Sequence, residues 1–469
     1  MADQTQSASA LRIGISAGLC ITVPAAIWFA PIGAGPIVRH ALAVAAFMIL
    51  AWVTEIMPHA LSGLLGCYLF WVLGVVPFSS AFGGFADQTP WFLFGASLLG
   101  TMATKSGMAR RLAYWAIRRT GSSYSRILLG LILTSFLLTF LVPSGLACVV
   151  IMASVALGLT EVLGIQRGSN FGRGIFITLT YTAGIFDKMV VAGPTSILGR
   201  GMIEKATGVP VYWSLWLFAF LPCALLTILF AWRLIVWLYP PEIVAPERAL
   251  AFLQDDLRKM GALSLPEKKT LLLMLLATAL WMTDLLHHIP PAAIAIGAGL
   301  LAAVPRVGIL DQEDLKRVNC LPVFFVAAAI SMSDVLVGTK ALPTVTAGMF
   351  GWMAPWVSSP VAIATVPYWT AFAYHLFLGN EISMLAASLP ALLRFASSHG
   401  LSPLQLGLIW SFAAGGKIFV YQSGVMVMGY SYGYFEARDL FRVGLVMTVL
   451  ESILLAVMVP FYWPLIGIR

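Results

Sequence analysis

Charged residues are scarce in this sequence. Only 10% of its 469 residues are Asp, Glu, Lys or Arg, whereas 60% are hydrophobic, and the mean hydropathy is +0.91. A chain of this composition lacks the polar side chains that would cover a soluble domain. Apolar runs of about 20 residues, the length that crosses a bilayer as a helix, recur from end to end. We therefore predict an all-α polytopic membrane protein.

Cysteine and catalytic motifs are scarce or absent as well. The five cysteines have no paired spacing, so the sequence predicts neither a disulfide framework nor a metal site. It contains no HExxH, GxSxG or Walker phosphate-binding motif. We therefore expect no enzyme, no ATP-driven pump and no cofactor. The net charge of +8 lies mostly in short loops, where Lys and Arg set membrane topology, and does not indicate nucleic-acid binding.

The sequence does contain an internal repeat. Lys188, in the apolar segment 180–196, and Lys417, in the segment 411–429, are 229 positions apart. Interrupted hydrophobic segments at matching places in two halves are typical of a transporter's central binding site. Other matched motifs are Trp52-Val53-Thr54-Glu55 with Trp281-Met282-Thr283-Asp284, also 229 apart, and Pro90-Trp91-Phe92 with Pro322-Val323-Phe324, 232 apart.

Loop charges predict how the two halves are oriented. Segment 105–126 is strongly basic and is expected in the cytoplasm, with an amphipathic interfacial helix at Arg110–Arg119. Its counterpart, Lys340–Pro360, has one charge and is expected outside, so the halves are predicted to be inverted repeats. The predicted division is an N-terminus and first helix at 1–37, repeats at 38–239 and 270–469, and a cytoplasmic linker at 240–269. The N-terminus is then cytoplasmic and the C-terminus outside.

Two polar stretches, Leu141–Gly145 and Phe377–Glu381, interrupt apolar segments whose arms must start and finish on the same side of the membrane. They are interpreted as re-entrant hairpins whose tips meet near the midplane. Irregular backbone at that depth is tolerated only where protein buries it or it lines a cavity. With the interruptions at Asp187-Lys188 and around Lys417, the prediction is about 11 transmembrane helices, two re-entrant hairpins and two broken helices.

This order of elements resembles a known family. Trp-x-Thr-Glu-x-x-Pro at Trp52–Pro58, a basic interfacial helix, a hairpin and a broken helix are followed by an inverted copy. The pattern is similar to the divalent anion/sodium symporter family of dicarboxylate, citrate and sulfate transporters, over roughly residues 38–465. The resemblance implies a small anionic substrate, a homodimer and an elevator-type motion of hairpins and broken helices. It also implies a bacterial inner or other plasma membrane.

Members of that family carry Ser-Asn-Thr at both hairpin tips, where it binds substrate carboxylates and sodium. Here the tips read Pro143-Ser144-Gly145 and Gly379-Asn380-Glu381, so the resemblance carries over Ser144 and Asn380. Asp187-Lys188 replaces a glycine pair in the first broken helix, which argues against sodium coupling. The predicted substrate-binding residues are Ser144, Gly145, Lys188, Thr195, Ser196, Asn380, Glu381, Lys417, Gln422 and Ser423.

The two lysines have two interpretations. A charge at membrane depth costs roughly 2.5–3.5 kcal/mol on insertion scales, so it persists only if it is paired, hydrated or functional. Each ammonium could stand where sodium would sit and hold an anionic substrate, helped by the positive ends of half-helices. Alternatively, Asp187 or Glu381 neutralises Lys188 in a structural ion pair, and another acid neutralises Lys417. Recurrence in both halves favours the functional interpretation.

Asp187 and Glu381 are the acids nearest the interruptions. Either could exchange a proton during transport, because burial raises the pKa of a carboxyl group, or could form a permanent salt bridge with a lysine. Both interpretations stay open. Any one hydroxyl or amide of the predicted set could also simply hydrogen-bond its own helix.

We expect a secondary transporter of a small organic anion, such as a di- or tricarboxylate, that works by symport or exchange through elevator-type alternating access. Sodium is disfavoured, because a lysine repels a second cation by about 4 kcal/mol at about 4 Å with an effective dielectric constant near 20. One alternative is a cation/proton antiporter that uses Asp187 and Lys188. Another is a receptor on the same scaffold that binds the anion without transporting it.

Overall fold

A computed structural model describes residues 2–30, 35–142, 144–242 and 246–469, without the side chains of 2–12, 141, 187, 246, 247, 249 and 250. Within these ranges every regular element is helical, which confirms the predicted all-α class. The helices long and apolar enough to cross a bilayer are Pro36–Thr54, Gly145–Leu163, Trp213–Leu238, Leu321–Gly338 and Ala437–Ile466. Shorter apolar helices accompany them, so the polytopic class is confirmed as well. The number of membrane crossings stays a prediction.

The helices follow one another with short connections. In the first part of the chain they are α1 (Ala2–Phe29), α2 (Pro36–Thr54), α3 (His59–Val72), α4 (Phe78–Ala81), α5 (Gln88–Lys105), α6 (Met108–Thr120), α7 (Tyr124–Leu141), α8 (Gly145–Leu163), α9 (Asn170–Met189), α10 (Pro194–Thr207) and α11 (Trp213–Leu238). In the second part they are α12 (Pro246–Lys259), α13 (Leu265–Met282), α14 (Asp284–His287), α15 (Pro291–Ala303), α16 (Gln312–Arg317), α17 (Leu321–Gly338), α18 (Leu342–Phe350), α19 (Pro360–Phe377), α20 (Glu381–Ser398), α21 (Pro403–Ala414), α22 (Gly424–Ser431) and α23 (Ala437–Val457).

The chain forms two compact units, and each unit takes segments from both predicted repeats. The first comprises Met1–Trp91, Leu198–Val209 and Cys320–Trp410, and the second comprises Phe92–Ile197, Pro210–Asn319 and Ser411–Arg469. The units therefore do not follow the predicted boundaries at residues 38, 240 and 270. Those boundaries, and the inverted orientation of the repeats, stay predictions.

In the first unit, a tryptophan joins the end of α2 to the start of α3. The Trp52 indole N–H donates to the carbonyl oxygen of His59 at 3.2 Å. The Trp52 ring lies edge-on to Phe325 of α17, with ring centroids 5.1 Å apart. Helix α3 packs closely against α17, because a Cβ at Gly63 would lie only 2.7 Å from the Cβ of Ala328. Small residues that let helix backbones approach are typical of packing inside membranes.

In the second unit, the matching tryptophan occupies the matching position. The Trp281 indole N–H donates to the carbonyl oxygen of Pro291 at 3.1 Å, joining α13 to the start of α15. Its ring contacts Phe92 of α5, with centroids 6.1 Å apart. A Cβ at Gly95 of α5 would lie 2.5 Å from the backbone nitrogen of Ile296 in α15. In each unit the tryptophan thus contacts a phenylalanine from the other half of the sequence.

Helix α9, which carries Lys188, has a firmly anchored N-terminus. The Ser169 hydroxyl accepts a hydrogen bond from the backbone N–H of Gly172 at 3.2 Å. The Glu242 carboxylate accepts from the N–H groups of Asn170 and Phe171, at 2.6 and 3.2 Å. Burial raises the pKa of Glu242, but these backbone donors outweigh that effect and lower the pKa below its usual value. A carboxylate at a helix N-terminus satisfies exposed N–H groups and complements the helix dipole.

The predicted linker at 240–269 contains a helix, α12, that docks on α6. Arg111 of α6 forms a bidentate ion pair with Glu267, in the first turn of α13, at 2.6 and 3.1 Å. Tyr114 of α6 donates to Asp256 of α12 at 2.7 Å. The predicted amphipathic helix at 110–119 is therefore confirmed as a helix, and α12 packs against it.

Asp284 fixes the start of α11, which explains why an acid follows the Trp281 motif. Its two carboxylate oxygens accept from the backbone N–H of Trp213 at 2.6 Å and from the Ser214 hydroxyl at 2.5 Å. The Asp284 side chain is fully buried. Asp284 therefore caps the N-terminus of α11.

We predict that Asp284→Ala destabilises the protein by about 1–3 kcal/mol, because the buried Trp213 N–H and Ser214 hydroxyl lose their acceptor. Thermal unfolding in detergent measures this effect. Asp255→Ala is the matched control, since Asp255 is exposed and pairs with Lys259 on the surface; its effect should stay within about 0.5 kcal/mol. Equal melting temperatures for the two variants would contradict the assigned role.

Candidate anion site at two broken helices

The first broken helix is interrupted later than predicted. Helix α9 continues through residues 187 and 188 and ends at Met189, and α10 begins at Pro194. The prediction of a break at Asp187-Lys188 was therefore wrong by a few residues. Val190 adopts an extended conformation (φ −126°, ψ 140°), and Pro194 cannot donate a helical hydrogen bond. Lys188 thus lies in the last turn of α9.

Two tryptophans of α11 hold this break in place. The Trp216 indole N–H donates to the carbonyl oxygen of Lys188 at 3.1 Å, and that of Trp213 donates to the carbonyl oxygen of Val191 at 2.9 Å. Carbonyl groups freed at a helix end need such partners when they are buried. The main chain around Lys188 is therefore fixed by a neighbouring helix.

The predicted residues Thr195 and Ser196 lie at the start of α10. The Ser196 hydroxyl accepts from the backbone N–H groups of Ala192 and Gly193, each at 3.3 Å, so it satisfies the backbone of the break. The Thr195 hydroxyl is buried and has no hydrogen-bond partner within the described part of the chain. Burying a hydroxyl without a hydrogen bond destabilises the folded protein, unless a ligand or water molecule supplies that bond.

A glutamine side chain stabilises the interruption of the second broken helix. Helix α21 ends at Ala414, and α22 begins at Gly424. Between them, the Gln422 side-chain oxygen accepts from the N–H groups of Ile418 and Phe419 at 2.7 and 2.8 Å. The Ser423 hydroxyl caps α22 by accepting from Val425 at 3.3 Å. Both residues therefore organise backbone at the break, and their predicted contact with substrate stays a prediction.

Both lysines are almost completely buried, Lys188 at 2% and Lys417 at 1% exposure. The Lys188 ammonium is 2.5 Å from a carboxylate oxygen of Glu451 in α23 and 4.3 Å from the ring centre of Phe412. The Lys417 ammonium donates to the carbonyl oxygen of Gly184 in α9 at 2.9 Å. The second unit thus buries two lysine side chains, one paired with Glu451 and one hydrogen-bonded to the Gly184 carbonyl.

Sequence reasoning did not identify Glu451 as the partner of Lys188. It named Asp187 or Glu381 for that role, but the side chain of Asp187 lies outside the described residues. The available signal was a single carboxylate in the long apolar run of α23. The pairing joins residues 263 positions apart, which no local pattern reveals.

Each lysine lies against a glycine of the other broken helix. A Cβ at Gly415, two residues before Lys417, would be 2.2 Å from the Cδ of Lys188. A Cβ at Gly184, four residues before Lys188, would be 3.1 Å from the Nζ of Lys417. The two broken helices therefore approach closely where their glycines leave room, and each lysine reaches across that contact.

The tip of the first hairpin lies at the same place. Gly145 approaches both broken helices: its Cβ would be 2.9 Å from a methyl group of Val425 and 3.3 Å from the carbonyl oxygen of Ala183. The adjacent Ser144 caps α8 by accepting from the N–H of Ala147 at 3.3 Å. Pro143 lies outside the described residues. The second unit thus places Gly145 against α22 and against α9 beside Gly184, the glycine that Lys417 contacts.

The tip of the second hairpin belongs to the first unit. The Asn380 side-chain oxygen caps α20 by accepting from the N–H groups of Ile382 and Ser383, both at 3.1 Å. Its amide nitrogen is 3.2 Å from the Nε2 atom of His59. Glu381 is 8% exposed, at the first position of α20. The predicted meeting of the two tips stays a prediction.

The chemistry of these groups suits an anion. Within the described ranges, no cluster of three or more His, Cys, Asp or Glu side chains could hold a metal ion. The second unit instead supplies two ammonium groups and a buried Thr195 hydroxyl at interrupted helices. Cationic donors in a low-dielectric site bind carboxylates or similar anions through charge-assisted hydrogen bonds.

Comparison with known proteins identifies the family. The profile of the sodium:sulfate symporter transmembrane region matches residues 13–469. The chain belongs to this family. It is therefore a membrane transporter and not an enzyme, and the resemblance found in the sequence is confirmed.

Three relatives show how far the similarity extends. The citrate/succinate antiporter of Escherichia coli K12 is 23% identical over 402 residues, which cover 82% of this chain and 80% of the relative. The chloroplastic dicarboxylate transporter 2 of Spinacia oleracea is 23% identical, with coverages of 85% and 72%. The L-tartrate/succinate antiporter of Shigella dysenteriae is 22% identical, with coverages of 81% and 79%.

The glycine contact gives a test of the site's geometry. We predict that Gly415→Ala displaces the Lys188 stem, lowers the melting temperature and weakens anion binding several-fold, since overpacking costs about 1–3 kcal/mol. In a Lys188→Ala background, where the clashing stem is gone, Gly415→Ala should cause no further fall in melting temperature, and the double variant should not recover binding.

Gly297→Ala is the matched control, because no atom lies within 4 Å of a Cβ at that position. It should leave both the melting temperature and anion binding unchanged. A Gly415→Ala variant that behaved like this control would show that Lys188 does not occupy the position described.

Proposed function

We propose that this chain exchanges di- or tricarboxylates across a membrane, and that Lys188 and Lys417 supply the positive charge that holds them. The observation that carries the proposal is the burial of both ammonium groups at two broken helices, beside the tip of the first hairpin. An ammonium group at membrane depth costs roughly 2.5–3.5 kcal/mol, so two of them need a compensating role. Binding an anion with two or more charges provides that role.

Glu451 supplies an internal substitute for the substrate. In the structure its carboxylate neutralises Lys188 at 2.5 Å. An incoming substrate carboxylate competes with Glu451 for the same ammonium group. Lys417, which donates to the Gly184 carbonyl, supplies the second positive charge for a second carboxylate. The protein therefore binds a dianion without leaving either lysine uncompensated.

The same buried charges argue against sodium as the coupling ion. A sodium ion beside either lysine would be repelled by about 4 kcal/mol at 4 Å with a dielectric constant near 20. The antiporters among the relatives support exchange.

The wider proposal follows the family. We propose a homodimer in a bacterial plasma membrane, in which broken helices and hairpins move in an elevator-type cycle. The N-terminus is expected inside and the C-terminus outside. Cation/proton antiport through Asp187 and Lys188 is the competing function, and the assay below separates the two.

Counterflow in proteoliposomes tests the proposal. Vesicles loaded with unlabelled succinate should take up labelled succinate or citrate without sodium, and empty vesicles should not. Lys188→Ala and Lys417→Ala should each reduce uptake at least about tenfold, because a hydrogen bond to a charged group is worth roughly 1.5–3 kcal/mol.

Lys268→Ala is the control, since Lys268 is exposed at the start of α13 and lines neither break; uptake should be unchanged. Normal uptake by both site variants would refute the assignment of the lysines. A sodium-dependent change of internal pH without any anion flux would establish the cation/proton antiporter instead.

The proposed role of Glu451 predicts that removing its charge strengthens substrate binding. Glu451→Gln should lower the Kd for succinate and slow turnover, because no internal carboxylate then competes with the substrate for Lys188. Titration of purified protein together with exchange rates measures both effects. Glu313→Gln, which alters a surface pair with Lys316, is the control. Weaker binding in Glu451→Gln would show that the ion pair only maintains the shape of the site.

A further inference from the structure

The first unit contains a pocket that none of the predicted site residues lines. Its volume is about 420 Å³, and it lies among α10, α17, α20 and the start of α18. Sites for small ligands commonly measure about 300–1,000 Å³. Pro343 and Pro390 contribute to its wall, and proline restricts the local backbone. The pocket is therefore large enough for a small organic anion.

The charged lining of this pocket is mainly positive. Lys205, Lys340 and Arg394 face one carboxylate, Asp334. The Lys205 ammonium forms ion pairs with the carboxylates of Asp334, at 2.6 Å, and Asp87, at 3.6 Å. Within the part of the chain that the structure describes, Lys340 and Arg394 form no ion pair. Two exposed cations of this pocket are thus without an acidic partner among the described residues.

The backbone of Lys340 is a second observation. Its φ of +62° lies in the left-handed region, which only two other non-glycine residues adopt within the described ranges. Glycine is the usual residue at such a position after a helix, because a Cβ is unfavourable there. Strain of this kind persists where the side chain has a use. This strained position belongs to a lysine that lines the pocket.

We infer that this pocket is a second anion site, which binds the transported carboxylates at the protein surface through Arg394 and Lys340. The inference rests on the proposed function for the identity of its ligand. A guanidinium group pairs with a carboxylate through two parallel hydrogen bonds, and the nearby ammonium group binds a second carboxylate. A positive pocket raises the local concentration of anions, so this site captures substrate before transport. A tricarboxylate binds more tightly than a dicarboxylate.

The test uses purified full-length protein that carries Lys188→Ala, so that the buried lysine site no longer binds. Calorimetric titration with citrate should show residual weak binding that disappears at high salt. Adding Arg394→Gln, alone or with Lys340→Gly, should weaken this binding at least about fivefold. Succinate should bind more weakly than citrate in the same protein. The control is Arg118→Gln, which removes an exposed positive charge from α6 and should change nothing.

Lys340→Gly also reports on the fold. Because it relieves the left-handed strain, its melting temperature should equal or exceed that of the parent protein, and Arg394→Gln provides a second variant without a backbone change. Absence of residual citrate binding, or equal binding in the pocket variants and the control, would overturn the inference. Failure of the proposed function would appear separately, as absence of carboxylate exchange by the unaltered protein in vesicles.

Discussion

The structure depends on the compensation of positive charge inside the membrane. Lys188 and Lys417 are both buried, and water is absent from the bilayer core, so protein groups must replace their hydration. Glu451 does so for Lys188 through an ion pair, and the Gly184 carbonyl contributes for Lys417. A buried pair of this kind contributes little net stability, because desolvation offsets most of the attraction. In the proposed mechanism its value lies in binding, since a substrate carboxylate would replace the protein's own.

The surrounding backbone explains why the lysines keep their positions. Helix α11 holds the first break through two indole hydrogen bonds, and Asp284 fixes the start of α11. Gln422 holds the second break by accepting from two backbone N–H groups. Interrupted helices offer unsatisfied backbone groups to a ligand only when the rest of the break is satisfied. Hydrogen bonds to the backbone therefore support both breaks that carry the lysines.

Much of this arrangement could be predicted from residue types. The all-α class, the capped hairpin tips at Ser144 and Asn380 and the interruption around Lys417 follow from hydropathy and from polar residues between apolar arms. The first break was placed too early, because Asp-Lys is compatible with a helix, whereas the extended Val190 and Pro194 are not. The pairing with Glu451 and the contacts at Gly184 and Gly415 could not be predicted. They depend on how helices that are far apart in the sequence cross. A single carboxylate in an apolar segment does not indicate which residue it pairs with.

The most direct test is a density map of the protein with bound citrate or succinate. The account predicts density for the anion within hydrogen-bond distance, about 3 Å, of the Nζ atoms of both Lys188 and Lys417. In that map Glu451 should have moved away from Lys188. Anion density elsewhere, with the Lys188–Glu451 pair intact and Lys417 out of contact, would contradict the account.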